Sequence, residues 1–398
     1  MRLTSLRKVF IASAVRTPLG KFGGALLPLN AVDLGTLAAK EAVIRGRISP
    51  DQIQEVIFGN ARQAGNGPNP ARQIGVRSGI PVDTPAYTVN QACASGMKAL
   101  ILGYQAIVLG DVDIVLCGGT ESMSNTPFLQ RKMRFGLRLG NTELEDGMYR
   151  DGFFCPMAKM LMGETAEILA EKFKISREEQ DGYAAQSQQR CEAARKNGYF
   201  KNEIIPVEVP QSGGKTVLVD KDENPRDGVT AESLSKLPPA FKKGGTVHPG
   251  NSSGITDGAA ALILISEEKA AELKTPVLGE IVQYAVTGVD PTLMGLGPIQ
   301  AVRLLEKRSG IKVREVDLIE LGEAFAAQVL ACNQELKLDM TKVNVNGGFI
   351  PLGHPIGCSG ARITVTLIHE MNRRNASTGA ATLCVSGGMG AALLLQRL

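Results

Sequence analysis

The two halves of this 398-residue chain carry the same landmarks in the same order. Asp51-Gln52-Ile53-Gln54-Glu55-Val56-Ile57-Phe58-Gly59-Asn60 is answered by Arg314-Glu315-Val316-Asp317-Leu318-Ile319-Glu320-Leu321-Gly322-Glu323, an acidic lead-in, an apolar strand and a closing glycine. Ala94-Ser95-Gly96-Met97-Lys98-Ala99-Leu100 is answered by Cys358-Ser359-Gly360-Ala361-Arg362-Ile363-Thr364, a small-residue turn opening a helix. Asp113-Ile114-Val115-Leu116-Cys117-Gly118-Gly119 is answered by Ala381-Thr382-Leu383-Cys384-Val385-Ser386-Gly387. Gly59 and Gly322 stand 263 positions apart, Ser95 and Ser359 264, Cys117 and Cys384 267. A near-constant separation over three ordered landmarks implies a duplicated fold with a pseudo-twofold axis.

Each half alternates short apolar strands with longer helical patterns, punctuated by 45 glycines and 20 prolines. That alternation predicts an α/β fold, helices layered on mixed or parallel sheet. The chain also exceeds the length at which a single core keeps growing. Residues 125–243 have no counterpart in the other half. They hold a Met-rich loop (Met148, Met157, Met160, Met162), polar helices and a Gly/Lys/Asp-rich segment. The expected organisation is a first half over 1–124, an inserted loop domain over 125–243, the end of that half over 244–275, and a second half over 276–398. Within the insertion a polar helix from about Glu164 to Asn197, with a capping box at Ser176-Arg177-Glu178-Glu179, is expected at the surface.

Composition excludes several classes. No apolar run approaches the ~20 residues that cross a bilayer, so no membrane association is expected. The formal charge of +4 is dispersed, which argues against a nucleic-acid surface and suits an anionic small ligand. Seven cysteines (93, 117, 155, 191, 332, 358, 384) show no paired CxxC spacing, so neither a metal site nor a disulfide framework is indicated. The basic start, Met1-Arg2-Leu3-Thr4-Ser5-Leu6-Arg7-Lys8, leaves no room for a transit peptide before the strand opening at Val9. A cytoplasmic location is the expectation.

Three glycine-bracketed segments could carry chemistry. Cys93 lies in the turn Asn90-Gln91-Ala92-Cys93-Ala94-Ser95-Gly96, between an extended run and a helix whose N-terminus favours a thiolate. His354, one of three histidines, lies in Gly347-Gly348-Phe349-Ile350-Pro351-Leu352-Gly353-His354-Pro355-Ile356-Gly357-Cys358-Ser359-Gly360. Cys384 opens Cys384-Val385-Ser386-Gly387-Gly388-Met389-Gly390. One reading is a cysteine nucleophile, a histidine that deprotonates it and a second cysteine that moves a proton. The other is that small apolar cysteines fill tight strand–helix packing.

Taken together, these segments resemble the thiolase family, acyl-CoA C-acyltransferases that form or cleave 3-oxoacyl-CoA. The likeness spans the chain, from Ser13-Ala14-Val15-Arg16-Thr17-Pro18-Leu19-Gly20 through Gly65-Asn66-Gly67-Pro68-Asn69-Pro70-Ala71-Arg72-Gln73 and Asn251-Ser252-Ser253-Gly254-Ile255-Thr256-Asp257-Gly258-Ala259-Ala260 to the last two loops. It implies a five-layered α-β-α-β-α fold, a homotetramer or homodimer, and ping-pong acyl transfer. CoA and acyl-CoA are then substrates, with no separate cofactor and no metal. By the same resemblance Cys93 is acylated, His354 takes its proton and Cys384 serves the α-carbon of acetyl-CoA. His354 with a bound water forms one oxyanion site, and the N–H groups of Cys93 and Ser386 form the other. Arg226 and Ser233 match positions near the CoA nucleotide. Ser253, Ala324, Phe325, Met162, Leu161 and Phe153 match positions along pantetheine and the acyl group.

The chain departs from the family pattern in places. Gly322 precedes Glu323-Ala324-Phe325 where members commonly carry Asn, or His, to fix the oxyanion water. A Gly322→Asn exchange is therefore expected to accelerate condensation if the missing side chain limits it. Leu161 stands where acetoacetyl-CoA-forming members often have His, whereas the closing Gly-Gly-Met-Gly is that of the biosynthetic branch, so acyl length stays open. Ser386 sits in a stretch that is usually all glycine, and His248 has no catalytic precedent. Three alternatives remain: a decarboxylating condensing enzyme, disfavoured by Cys384 at the place of a second histidine; an impaired acyl-CoA-binding relative, on account of Gly322; and a cysteine hydrolase, which lacks an Asn or Asp to orient the histidine.

Overall fold

The computed structural model describes residues 7–398; residues 1–6, most of the basic start, lie outside the described residues. The first half contributes the strands β1 (Val9–Arg16), β2 (Glu55–Gly59), β3 (Ala86–Val89), β4 (Ile114–Glu121) and β5 (Thr256–Ser266), with helices α1 (Ala31–Gly46) and α2 (Ser95–Leu109). The insertion contributes α3 (Met162–Lys172) and α4 (Arg177–Lys196). In the second half lie β6 (Gly279–Gly288), β7 (Leu318–Leu321), β8 (Thr378–Val385) and β9 (Met389–Gln396), with α5 (Gly297–Ser309), α6 (Ala326–Leu336) and α7 (Ile356–Arg374).

Strand order makes the duplication visible. The first half runs β1-β5-β4-β2-β3, the second β6-β9-β8-β7. In each, the first two pairings are antiparallel and the next is parallel. Even an irregularity recurs: β1 slips register against β5 between Ile11 and Ser13, and β6 against β9 between Ile281 and Gln283, 270 positions later. The two sheets join through only two residue pairs, Phe10 with Glu280 and Ile11 with Gly279.

Both faces of the strands are buried, so their side chains alternate between two cores. In the first half Ile11, Val115, Cys117, Leu262 and Leu264 face a central core shared with α2 and α7, while Phe10, Leu116 and Ile263 face α1. The second half sends Leu383, Leu393 and Leu395 to that central core, and Ala380, Ala392 and Leu394 to α5 and α6. The layers are therefore helix, sheet, helix pair, sheet, helix.

Buried between sheets, α2 is apolar on nearly every side. With the preceding turn it forms Ala92–Leu109, one helical stretch long and apolar enough by composition to cross a membrane, yet mostly buried here. It meets α7 where both helices begin. A Cβ at Gly96 would lie 2.8 Å from the Ala361 nitrogen, and one at Gly360 would lie 2.5 Å from the Met97 nitrogen. Since 96 and 360, like 97 and 361, differ by the repeat offset of 264, the contact is reciprocal, as a twofold requires.

The expected single helix from Glu164 to Asn197 is two, broken around Lys174, which takes a left-handed φ of 53°. Ser176 caps the second of these with its capping box. Nor is α4 a surface helix: Asp181, Tyr183, Ser187, Gln188 and Cys191 are buried. Its polar groups have internal partners. Tyr183 and Ser187 donate to the Glu323 carboxylate at 2.7 and 2.9 Å, which also accepts from Asn344 and the Ile350 N–H. Buried charge is tolerated where donors surround it, and Glu323 so fastens the insertion to the second half.

Candidate active site

The turn before α2 is tightly pinned. Asn90 accepts the Ala92 N–H at 2.9 Å, and Ser95 Oγ accepts from Gln91 N–H at 2.9 Å while donating to the Ala92 carbonyl at 2.6 Å. Ala92 is driven to a φ of 45°, left-handed and costly for a residue with a Cβ. That turn presents Cys93, the one cysteine of the seven that is not buried.

The His354 loop arrives from the second half. Glu121 accepts N–H groups from Ala61, Arg62 and Gly357 at 3.1, 3.0 and 2.8 Å, and the Asn60 amide at 2.7 Å. One carboxylate therefore ties the loop to the first half. His354 donates its backbone N–H to the Gly254 carbonyl at 2.9 Å. The Ser359 hydroxyl gives its proton to the Pro355 carbonyl at 2.9 Å, so its oxygen accepts from His354 Nδ1–H at 2.5 Å. This fixes the tautomer and leaves Nε2 with its lone pair free.

Cys384 is the penultimate residue of β8, and the turn to β9 follows. There Gly387 and Gly388 take φ values of 87° and 86°, and a Cβ on Gly388 would lie 2.3 Å from the Val289 carbonyl. Ser386 has no such requirement, which explains why a serine is accommodated. Its backbone N–H acts on the Cys93 sulfur in the direction that favours the thiolate.

Burial sets the charges. It pushes the Cys93 thiol above its usual range, against the opposing pull of the Ser386 N–H and the Arg62 guanidinium. Cys384 is pushed well up, by burial and then by its neighbour Cys93. His354 is pushed down to about 3, by burial and by Arg362 and Arg62. The resting site is therefore two thiols and a neutral imidazole. The thiolate suggested by the helix N-terminus is outweighed by desolvation, which penalises any charged form.

A cavity of about 690 Å³ opens onto these groups. Cys93, His354, Cys384 and Ser386 line it, as do Arg226, Ser253, Ala324, Phe325, Met162, Leu161 and Phe153. Arg226 is exposed at the rim, while Phe325 is buried edge-to-face against Phe241, centroids 6.2 Å apart.

Two expected residues are not on the wall. Ser233 is exposed and closes its own short helix, donating to the Thr230 carbonyl at 2.7 Å. Gly322 lies behind the cavity and spends its N–H on the Thr382 carbonyl at 2.8 Å, so it offers no donor to an oxyanion. A Cβ there would lie 2.8 Å from both Leu383 Cβ and Phe349 Cε2. An asparagine cannot enter without displacing the Phe349 ring, which removes the ground for the accelerating Gly322→Asn exchange.

Sequence reasoning missed Ser359, Phe349, Arg62 and Arg362. Ser359 could have been found, one helical turn after His354 in the same loop. Arg62 and Arg362 carried no local signal, since only the fold brings them near. His248 is buried and structural: Nε2 pairs with Asp181 at 2.7 Å and Nδ1 accepts from the Gly250 N–H at 3.0 Å, shaping a turn on the cavity wall. Among the described residues no cluster of three or more His, Cys, Asp or Glu side chains could hold a metal.

Comparison with known proteins bears on the whole chain. Residues 9–268 match the family model described as thiolase, N-terminal domain, and residues 275–397 that described as thiolase, C-terminal domain. An acetyl-CoA acetyltransferase of Pseudomonas aeruginosa is 48% identical over 392 residues, 98% of this chain and all of that one. The crystal structure of the Bacillus anthracis acetyl-CoA acetyltransferase superposes with a TM-score of 0.96 at 44% identity, over 99% of each chain. Human mitochondrial 3-ketoacyl-CoA thiolase in complex with CoA gives 0.95 at 44% identity, over 98% of each.

Proposed function

Because this chain belongs to the thiolase family, we propose that it transfers acyl groups between 3-oxoacyl-CoA and CoA through Cys93, with His354 and Cys384 as its proton carriers. The observation that carries the reading is the convergence of all three on one cavity wall from separate loops. Ser386 N–H and the N–H of Cys93 itself, both of which favour charge at the Cys93 sulfur, are the donors set to hold an oxyanion formed there.

A neutral resting site gives a closed proton balance in the cleavage direction. His354 Nε2 takes the Cys93 proton as sulfur attacks the 3-oxo carbonyl. The C–C bond breaks, and the Cys384 thiol protonates the departing enolate, releasing acetyl-CoA. The CoA thiol then restores the Cys384 proton and its sulfur attacks the acyl-Cys93 carbonyl. Collapse frees acyl-CoA, and the Cys93 thiolate recovers its proton from His354. Condensation is the reverse sequence.

CoA brings anionic phosphates, for which Arg226 at the rim is the matching charge, and a pantetheine arm that fits the walls at Ser253, Ala324 and Met162. Leu161 and Phe153 offer an apolar surface for the acyl chain. Homodimeric or homotetrameric assembly and a cytoplasmic setting, which suits seven free thiols, belong to the same proposal.

Thiolysis of 3-oxoacyl-CoAs of increasing length tests it. Wild type should cleave acetoacetyl-CoA and longer homologues, and Cys93→Ala should lose all turnover. Leu161→His should reduce the longer substrates more than acetoacetyl-CoA. Binding of acyl-CoA without any CoA-dependent cleavage would instead favour an acyl-CoA-binding role.

A further inference from the structure

We infer that Phe349 is a positioning residue for His354, held in turn by the Arg362 guanidinium over its ring and admitted to its place only because residue 322 is glycine. This rests on the reading of His354 as the base of the reaction. The Phe349 and His354 rings stack with centroids 4.4 Å apart and planes inclined by 10°. The Arg362 guanidinium carbon also stands over the phenyl ring, 4.9 Å from its centroid. Guanidinium and imidazole thus both pack on the one phenyl ring in a buried cluster, with Arg362 at 0%, Phe349 at 1% and His354 at 8% exposure.

Each member depends on the next. Among the described residues Arg362 has no hydrogen-bond partner at Nε or at either terminal nitrogen, and the nearest carboxylate, Glu320, is 3.8 Å away. A buried cation so poorly bonded gains from lying on an aromatic face. Phe349 in turn lies where a side chain at 322 would be, since a Cβ there would be 2.8 Å from its Cε2 and 3.2 Å from its Cζ. His354 is bonded in its plane by Ser359 through Nδ1, which leaves rotation about that bond unrestrained. The phenyl face removes that freedom and aims Nε2. Aim matters because misplacement of a reacting group by about 1 Å can cost about a hundredfold in rate.

The test uses thiolysis of acetoacetyl-CoA by the full-length enzyme. Phe349→Leu keeps the site apolar but takes away the flat face, so kcat should fall about 10- to 100-fold with KM for both substrates within about twofold. Gly322→Ala, which pushes the ring without removing it, should lower kcat in the same selective way. In Gly322→Ala/Phe349→Leu the conflict with the ring is gone and only that with Leu383 Cβ remains, so thermal stability should recover in part from that of Gly322→Ala while kcat stays at the Phe349→Leu level. A kcat within about twofold of wild type in either single variant, or a change confined to KM, overturns the inference. If Phe349→Leu does not fold, Gly322→Ala alone decides it. His354→Asn separates the two levels: near-normal turnover there removes the base role itself, whereas loss there with a normal Phe349→Leu enzyme removes only the positioning role.

Discussion

A partly buried thiol and a buried imidazole resist charge in opposite directions, and the chemistry at Cys93 follows from that. Cys93 is raised and His354 lowered, so proton transfer between them is uphill at rest and awaits an electrophile at the sulfur. Alkylation by iodoacetamide should therefore select Cys93, the only cysteine not buried, with a rate still climbing at pH 9, and acetyl-CoA should protect it. Equal labelling of Cys93 and Cys117 would sink the assignment. Arg62 favours the thiolate, so Arg62→Met should move the alkylation midpoint to still higher pH. The sign for stability is also fixed. Between about 3 and the unfolded value of 6.5 the unfolded chain binds a proton at His354 that the folded chain refuses. Stability should fall as pH drops through that window, and less so in His354→Asn, as melting temperatures at pH 4 and 7 would report.

At the scale of elements, α2 and α7 carry the site because they begin at the same point of the central layer. Their approach depends on Gly96 and Gly360, each facing backbone of the other helix. Alanine at either position overpacks the crossing, which typically costs about 1–3 kcal/mol. Urea denaturation should place Gly96→Ala and Gly360→Ala clearly below wild type, and unchanged midpoints in both would mean that the helices part freely. The duplication behind this crossing was legible because glycine-closed strands and small-residue helix starts leave marks at fixed spacing. Cys93, His354 and Cys384 were legible for a related reason: each sits in a short glycine-bracketed loop. The cluster at Phe349 was not, since the packing of residues 354 and 362 on the ring of 349 depends on how one loop lies against one helix. The burial of α4 was hidden as well. Tyr183 and Ser187 read as surface residues until Glu323, far along the chain, supplies their partner.

Across the whole molecule, the polar hubs Glu121 and Glu323 lock the halves and the insertion together, and one segment stands outside that packing. The hairpin arm around Phe128–Leu129 and Glu145–Asp146 exposes Phe135 at 96% and Leu139 at 99%, with Met133 and Leu144 also open. Arg131, Lys132, Arg134 and Arg138 are interleaved with them. Apolar side chains held out in water gain by being covered, and a cluster of them on one arm marks a contact surface. In a twofold assembly the same arm of a second copy can meet it, because a twofold interface uses the same patch on both copies. The arm is therefore where the proposed assembly is best tested, since it is not among the cavity-lining residues. Phe135→Glu/Leu139→Glu should lower the assembly mass in light scattering, from tetramer to dimer or from dimer to monomer. Each chain should stay folded, and the Cys93 alkylation rate should stay near wild type. An unchanged mass would place the interface elsewhere, with the exposed edge of β3 as the next surface to alter, since an unpaired strand edge also invites a second copy.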